Sequence, residues 1–496
     1  MKTQPSFKFP APVELGGLNL AFVVISLISL FGANPMEGLF AVIQLKMILH
    51  FYWRKDMALV GVLLLLFPWL EISTAIFEAN LRGESLNQML YGTGRQAYWL
   101  SAIGLTCVHI GFYSQFKKCQ APSLVENLKI SARKLSLNKL IIAYFLVSPA
   151  TILIRSQLGH GSSIYQFVTY FGEISTVLLI VICLRQALVG GSQRLFYGFM
   201  LVVIGLSFYS LFSSWKVAAF ALFISFGMAS QLNRKVVLRV LILGVIFGNL
   251  IFLWQGVKAE YRGFLTGSEN IGNLVSQRIV RSQSESLAKF LELTAEFYGN
   301  NRKQEAEHSE VYQEEEIESN DLLYGTLRRA GYLEFFAMVL NKVPEEIPHE
   351  GGSLLQESLS FALIPRILNS NKGVKDDGAK VEKYTDFRVS STSSFSLGHY
   401  VEYFIDFGPL GMMLVLLIYG WIGGRVLTIL VATNFTKASP IFLVAMGYVV
   451  LDKWGSFQAD TVYLFGQTFF GLICHGFIFL PAYSAIQRLT SVSNEE

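Results

Sequence analysis

Charge is scarce in this chain. Asp, Glu, Lys and Arg together make up 15% of its 496 residues, where a soluble domain carries about 25%. That shortfall excludes a solvated globular surface over the whole length. Cysteine is scarcer still: there are four, and none lies between 255 and 398, the longest polar interval. No disulfide framework can hold that interval together. Catalytic signatures are missing too. There is no G-x-x-x-x-G-K-[ST] phosphate loop, no G-x-S-x-G elbow, no H-E-x-x-H and no paired C-x-x-C. "GVKDDGAK" at 373–380 puts its lysine in the wrong place for a phosphate loop. The aspartates never fall as Asp-x-Asp, which removes the usual metal clamp of nucleotide-sugar transferases. The acidic run "QEAEHSEVYQEEEIES" at 304–319 has few apolar residues and reads as a solvated loop or helix. No internal repeat is evident, which weighs against a transporter built from inverted halves. Nor is there a concentrated basic surface with a recognition motif, so nucleic acid is excluded as a partner.

What is present is apolar. Hydrophobic residues make up 52% of the chain and its mean hydropathy is +0.45. A hydrocarbon core of about 30 Å takes roughly 20 apolar residues in helix. On that template spans are predicted at 15–33, 37–53, 57–78, 96–115, 139–156, 164–184, 195–213, 215–232, 236–254, 403–423, 439–456 and 461–484. The expected fold is an all-α polytopic membrane protein of about twelve transmembrane helices. Residues 1–254 form an N-terminal bundle of nine spans, 255–398 a large extracytoplasmic loop, and 399–496 a C-terminal bundle of three. The first span lacks an A-x-A-like cleavage site and reads as an uncleaved anchor. With the N-terminus inside, inner segments hold eighteen Lys and Arg and the short outer loops hold five, Lys453 among them. That asymmetry puts both termini in the cytoplasm and 255–398 outside. Outside there is no ATP, so chemistry there must draw on a substrate already energised.

The outer loop carries sixteen basic and twenty-two acidic residues, so bulk charge would not attract an anionic lipid. Individual cations beside apolar anchors could. Lys258 and Arg262 in "WQGVKAEYRGFL" stand at i, i+4 on a helix continuing the ninth span; snorkelling at the interface explains them equally well. Arg328 and Arg329 open the apolar stretch "YGTLRRAGYLEFFAMVL", which is too short to cross and suggests an interfacial or re-entrant helix. In "GGSLLQESLSFALIPRIL", Pro365 turns the backbone and fixes Arg366 at a corner, with Lys372 just beyond. A guanidinium's planar fork matches phosphate oxygens; a helix-capping role is the plain alternative. Where the chain re-enters the membrane, "SLGHYVEYFIDFGPLG" places His399, Glu402, Tyr403 and Asp406 on one helical face. Such a stripe is costly in a bilayer unless it lines a cavity. A carboxylate and an imidazole one turn apart can take a proton from a hydroxyl, or Glu402 can simply neutralise an arginine of the loop.

This arrangement resembles the oligosaccharide repeat-unit polymerases, the Wzy-like polymerases of O-antigen and exopolysaccharide. The likeness lies in "VKAEYR" at 257–262, "IPRILNSNK" at 364–372 and "GHYVEYFIDFGPLG" at 398–411. Glu402, Tyr403, Phe407 and Gly408 match the family's glutamate–aromatic–Phe-Gly pattern, and Arg366 and Lys372 its Pro-Arg followed by Lys. The chain departs in having Asn-Ser-Asn before Lys372, where Trp-Pro is common, and in lacking a proline after it. The resemblance implies an architecture like that of GT-C type glycosyltransferases in a bacterial cytoplasmic membrane. It implies metal-independent, cofactor-free inverting transfer of a glycan from polyprenyl pyrophosphate onto another lipid-linked repeat unit. Glu402 would be the base and His399 its relay; Arg366, Lys372, Lys258, Arg262, Arg328, Arg329 and Tyr403 would hold pyrophosphate and glycan. A flippase and a chain-length regulator would be its partners beside the bilayer. A ligase using another acceptor, or a transporter of the lipid-linked glycan, are the alternatives.

The predicted topology is checked by cysteine labelling in a chain whose native cysteines are replaced. A membrane-impermeant reagent added outside should reach a cysteine placed within 301–320 and leave one placed within 120–132 unmodified. The reverse pattern inverts the orientation.

Overall fold

A computed structural model describes residues 11–14, 16, 18–54, 60–118, 124–157, 163–207, 217–222, 234–266, 283–307, 324, 327–328, 331–363, 377–387, 396–432 and 440–492. Among them there are helices and no strand, only isolated bridges at Pro12–Arg54 and Leu135–Ser491. The helices before the polar interval are α1 (Leu18–Ser29), α2 (Pro35–Tyr52), α3 (Val60–Arg82), α4 (Leu86–Met89), α5 (Gly94–Phe116), α6 (Leu124–Arg133), α7 (Leu137–Gln157), α8 (Ser163–Val189) and α9 (Gln193–Ser207). Then come α10 (Arg234–Thr266), α11 (Gln283–Glu307), α12 (Leu333–Leu340), α13 (Ser353–Leu363) and α14 (Asp377–Thr385). The C-terminal part has α15 (His399–Ala432), α16 (Pro440–Val449), α17 (Thr461–Ile473) and α18 (Leu480–Thr490). Helices α16 and α17 each run on into one π-helical turn, Val450–Trp454 and Cys474–Ile478.

The all-α expectation holds across the described residues, but twelve spans and a GT-C type arrangement do not emerge. Among the described residues, four helical stretches are long and apolar enough to cross a membrane: Gly61–Arg82, Phe167–Val189, His399–Leu430 and Thr461–Ile478. Shorter apolar stretches cover Leu18–Ser29, Leu137–Pro149, Gln193–Ser207 and Ile242–Lys258. Of the predicted spans 195–213 and 215–232, residues 208–213, 215–216 and 223–232 lie outside the described residues. Helix α2 carries Glu37 and Lys46, and the Glu37 carboxylate meets Arg95 at the start of α5 at 2.6 Å. Pro149 sits within α7. Lys453, expected in a short outer loop, is 7% exposed within the π turn after α16.

The core is organised around α5 and α15, which touch backbone to backbone. A Cβ on Gly111 would lie 2.1 Å from the Leu417 carbonyl oxygen, and one on Gly420 would lie 2.1 Å from that of Val108. On Gly424 it would meet the Phe112 oxygen at 2.5 Å. Gly420 and Gly424 form the small-x-x-x-small spacing that lets helices approach in a bilayer, where dispersion and close packing replace the hydrophobic drive. At the far side of α15, the Tyr419 ring stacks on Trp454 with centroids 4.5 Å apart.

Over one end of this pair lies a layer made of α12, α13 and α14. Helix α12 sits on the start of α5, with Thr93 Oγ1 donating to the Ala337 carbonyl at 2.7 Å and the Phe336 and Phe404 rings 5.3 Å apart. The apolar stretch 333–340 is therefore short because it caps the bundle rather than crossing it. Helix α13 lies along α17, where a Cβ on Gly466 would be 3.4 Å from that of Ala362.

Gly420→Ala should lower the stability of the purified protein in detergent by about 1–3 kcal/mol, since the added methyl meets a backbone oxygen that cannot move alone. Gly244→Ala on α10, where nothing lies within 4 Å, should change it by less than about 1 kcal/mol. Equal denaturation midpoints for the two variants would show that α5 and α15 are not in such close contact.

Candidate functional site

The site grows from a break in α15. Gly408 has φ 67° and ψ −172°, outside any helical region, and Pro409 follows it. Proline has no N–H to give the Ile405 carbonyl, so carbonyls before the break need donors from elsewhere. Glu350 N donates to Ile405 O at 3.0 Å and Gly351 N to Asp406 O at 2.9 Å. His349 Nδ1 lies 3.2 Å from Ile405 O. The fit is close on both sides: a Cβ on Gly408 would be 3.1 Å from His349 Nε2, and one on Gly352 2.9 Å from the Phe407 ring. Both glycines have positive φ, at 67° and 98°, a region side chains rarely adopt. The loop 349–352 thus wraps the break.

Each carboxylate of the polar stripe holds a different element. Asp406 accepts Leu354 N at 3.0 Å and Leu355 N at 2.8 Å, satisfying amides that the first turn of α13 leaves without partners. Glu402 Oε1 meets Lys380 Nζ of α14 at 2.7 Å, and its Oε2 accepts Thr461 N at 2.8 Å. Thr461 opens α17, whose N-cap is Asp460, accepting Tyr463 N at 2.7 Å. His399 Nδ1 sits 3.0 Å from the Ala459 carbonyl; the proton is therefore on Nδ1, and Nε2 is left without a partner. Tyr403 is buried with its ring 5.8 Å from that of His399.

The stripe was expected to line an open cavity. Instead His399, Glu402, Tyr403 and Asp406 are at most 2% exposed. His399 borders a cavity of about 10 Å³ between Pro68, Val108, Tyr419 and Trp454; that is about the space of one water. The layer helices cover the rest. Helix α14 has a second tether, Lys383 Nζ to Glu350 Oε1 at 2.6 Å, with Tyr384 Oη donating to the same oxygen at 2.6 Å. Lys383 and Tyr384 hold the Glu350 carboxyl below its ordinary range. Burial, then Glu350, pushes the Tyr384 hydroxyl up to about 12.

The other sequence-predicted residues are distributed unevenly. Arg328 is not free for an anion: its Nε donates to Glu334 Oε2 at 2.8 Å, its Nη2 pairs with Glu334 Oε1, and Tyr91 Oη donates to that carboxylate at 2.8 Å. Burial alone would raise Glu334, but Arg328 and Tyr91 bring it below the ordinary carboxylate range. Arg328 also precedes α12 rather than starting it. Lys258 and Arg262 lie on one continuous helix, α10, as the spacing predicts. Lys258 is half-buried, and the Arg262 side chain lies outside the described residues. So do Arg329, Arg366 and Lys372. The segment 364–376, which carries Arg366 and Lys372, is nonetheless bracketed by helices on the stripe: α13 is held by Asp406, α14 by Glu402.

Lys380 is the functional residue that sequence reasoning missed. The predicted cations, Lys258 and Lys372 among them, stand beside apolar stretches, whereas Lys380 lies in the polar helix "DGAKVEKYT". Its signal was the spacing of Lys380 and Lys383, which share one helical face.

Residues 294–433 match a family described as "Domain of unknown function (DUF8712)". The match takes in Arg328, Arg329, Arg366, Lys372, His399, Glu402 and Tyr403, and leaves out Lys258 and Arg262. It covers α12, α13, α14 and α15. No curated protein matches the chain, and no solved structure does.

Lys380→Met should destabilise the protein by about 3–5 kcal/mol, because it leaves the buried Glu402 carboxylate without its cation; Glu402→Gln should cost less, because the Lys380 it leaves is only partly buried. The double variant should cost clearly less than the sum. Additive losses in denaturation midpoints would show that the two side chains are not paired.

Proposed function

We propose that the chain is a membrane glycosyltransferase of the outer face of a bacterial cytoplasmic membrane, polymerising polyprenyl-pyrophosphate-linked oligosaccharide repeat units. One observation carries this reading. The segment bearing Arg366 and Lys372 is tied at both ends to one polar turn of a broken membrane helix, through Asp406 and Glu402. Cations on a segment whose two flanking helices both bind this turn would suit a lipid pyrophosphate and a sugar hydroxyl. The sequence likeness to repeat-unit polymerases supports the same chemistry.

The reaction makes a bond from the acceptor hydroxyl oxygen to the donor's anomeric carbon and breaks the bond from that carbon to the pyrophosphate oxygen. The electron pair leaves with pyrophosphate, where Arg366 and Lys372 stabilise the developing charge. The acceptor proton goes to Glu402. Lys380 and the Thr461 amide hold that carboxylate in place, and a carboxylate has lone-pair sites beyond the two they occupy. His399 orients the turn through Ala459. The donor energy is in the pyrophosphate linkage, so no nucleotide is needed on that side.

In cells that make this polysaccharide, loss of the chain should leave single lipid-linked units on the outside and remove the ladder of longer glycans. Units trapped inside would mean a transporter, and a complete ladder not passed to its final acceptor would mean a ligase. Arg366→Lys should reduce elongation tenfold or more with expression intact, because a point charge cannot replace a fork whose bonds contribute about 1.5–3 kcal/mol each. Glu402→Gln should lose about 10²–10⁴-fold. Lys380→Met separates the two roles of Glu402: it keeps the base and should retain more activity than Glu402→Gln. Equal losses would make Glu402 a tether only.

A further inference from the structure

A second charged cluster lies apart from the stripe and outside residues 294–433, inside the membrane half. Glu173 is on α8, within the candidate span Phe167–Val189, and His475 is in the π turn that ends the span Thr461–Ile478. Their side chains meet at 3.1 Å, Glu173 Oε2 to His475 Nε2. The other Glu173 oxygen lies 3.1 Å from Lys453 Nζ, which also meets Asp452 Oδ2 at 2.6 Å. On the far side, His475 Nδ1 is 2.5 Å from Tyr483 Oη of α18. These contacts form one unbroken chain from Asp452, whose side chain is 37% exposed, to His475 at 0%.

Ionisable groups at membrane depth are costly and are retained mainly where they bind or move ions. Two details argue that this cluster does more than join helices. First, each nitrogen base facing Glu173 sits in its own π turn, Lys453 in Val450–Trp454 and His475 in Cys474–Ile478. A π turn departs from regular α geometry and is frequent at functional sites. Second, the charges do not balance. Two carboxylates share one ammonium, so a neutral imidazole leaves one negative charge in excess, and one proton on the imidazole removes it. A neutral His475 donates from Nε2 to Glu173 and accepts the Tyr483 hydroxyl at Nδ1. A protonated His475 donates from both nitrogens, and Tyr483 reverses to accept. No backbone need move.

We propose that Glu173 and His475 form a binding site for one exchangeable proton within the membrane half of the chain, reached from the side of Asp452. The site stands independently of the polymerase reading. Its remaining titratable neighbours are Tyr170 of α8, Tyr448 of α16, Tyr463 of α17 and Cys474. Together with Lys453 they belong to types that ordinarily titrate well above an imidazole. The proton that exchanges is therefore shared by the imidazole and the carboxylates. Protonation joins α8, α17 and α18 through a neutral network, and loss of the proton leaves a buried net charge between them.

The test uses the full chain, labelled with ¹⁵N-histidine, in lipid nanodiscs. The His475 signal is identified by its loss in His475→Gln and followed from about pH 5 to about pH 10, the span over which an imidazole bound to a carboxylate titrates. A single one-proton transition is expected, and Glu173→Gln should lower its midpoint by about one pH unit or more, because the carboxylate favours the imidazolium. Tyr483→Phe should keep the transition. Unchanged signals from the other histidines report an intact fold. Where Glu173→Gln fails that check, Asp452→Asn at the exposed end decides, with a smaller shift in the same direction expected. An imidazole that keeps one charge state throughout, or a midpoint that neither carboxylate substitution moves, overturns the proposal and leaves a purely structural ion pair.

Discussion

A proline inside a membrane helix leaves a carbonyl that its own helix cannot satisfy, and in a bilayer an unpaired carbonyl costs several kcal/mol. The break at Gly408–Pro409 sets this constraint for α15, and the neighbouring structure meets it. The loop 349–352 supplies amides to Ile405 and Asp406, which fixes where the chain enters the layer. From there α13 can begin only beside Asp406, and its first amides find that carboxylate. The layer is thus seated on the break by backbone hydrogen bonds before any side-chain packing is counted. Gly352 and Gly408 make the close approach possible, and Phe407 and His349 fill the space they leave.

Three carboxylates follow one pattern. Each is matched with a cation, with helix-opening amides or with both: Asp406 with the amides of α13, Glu402 with Lys380 and Thr461, and Glu173 with Lys453 and His475. Hydrogen bonds to charged groups contribute about 1.5–3 kcal/mol each, and a buried charge without them would be prohibitive. The two pairs differ in what surrounds them. Lys380 is on a short helix of the covering layer. Lys453 is built into a π turn packed in the bundle.

The helices themselves were largely legible, because runs of apolar residues and their Gly and Pro breaks fix where helices start and stop. The counting of spans was not. A hydropathy window cannot tell a helix that faces lipid from one such as α5, whose Ser101 and His109 are tolerated because protein surrounds them. The polar stripe was legible from its spacing, since His399, Glu402, Tyr403 and Asp406 do share a buried face. What could not be read was whom they face. Lys380 is twenty-two residues from Glu402 and Thr461 is fifty-nine away, and only the fold brings them together. Arg328 showed the converse error: a cation beside an apolar stretch already had Glu334 as its partner, six positions on.

The close pairing of α5 with α15 carries a cost in time. Gly111 presents a face that only Leu417 and its neighbours can fill, yet α15 begins roughly 280 residues after α5 ends. At about 5–20 residues per second of synthesis, α5 has been made for roughly 15–60 seconds before its partner exists. During that interval its glycine groove must be sheltered by something other than α15. Helix α2 is already present, and its Glu37 reaches Arg95 and Trp99. The early Glu37–Arg95 contact therefore makes α2 and α5 a provisional unit that precedes the last fifth of the chain.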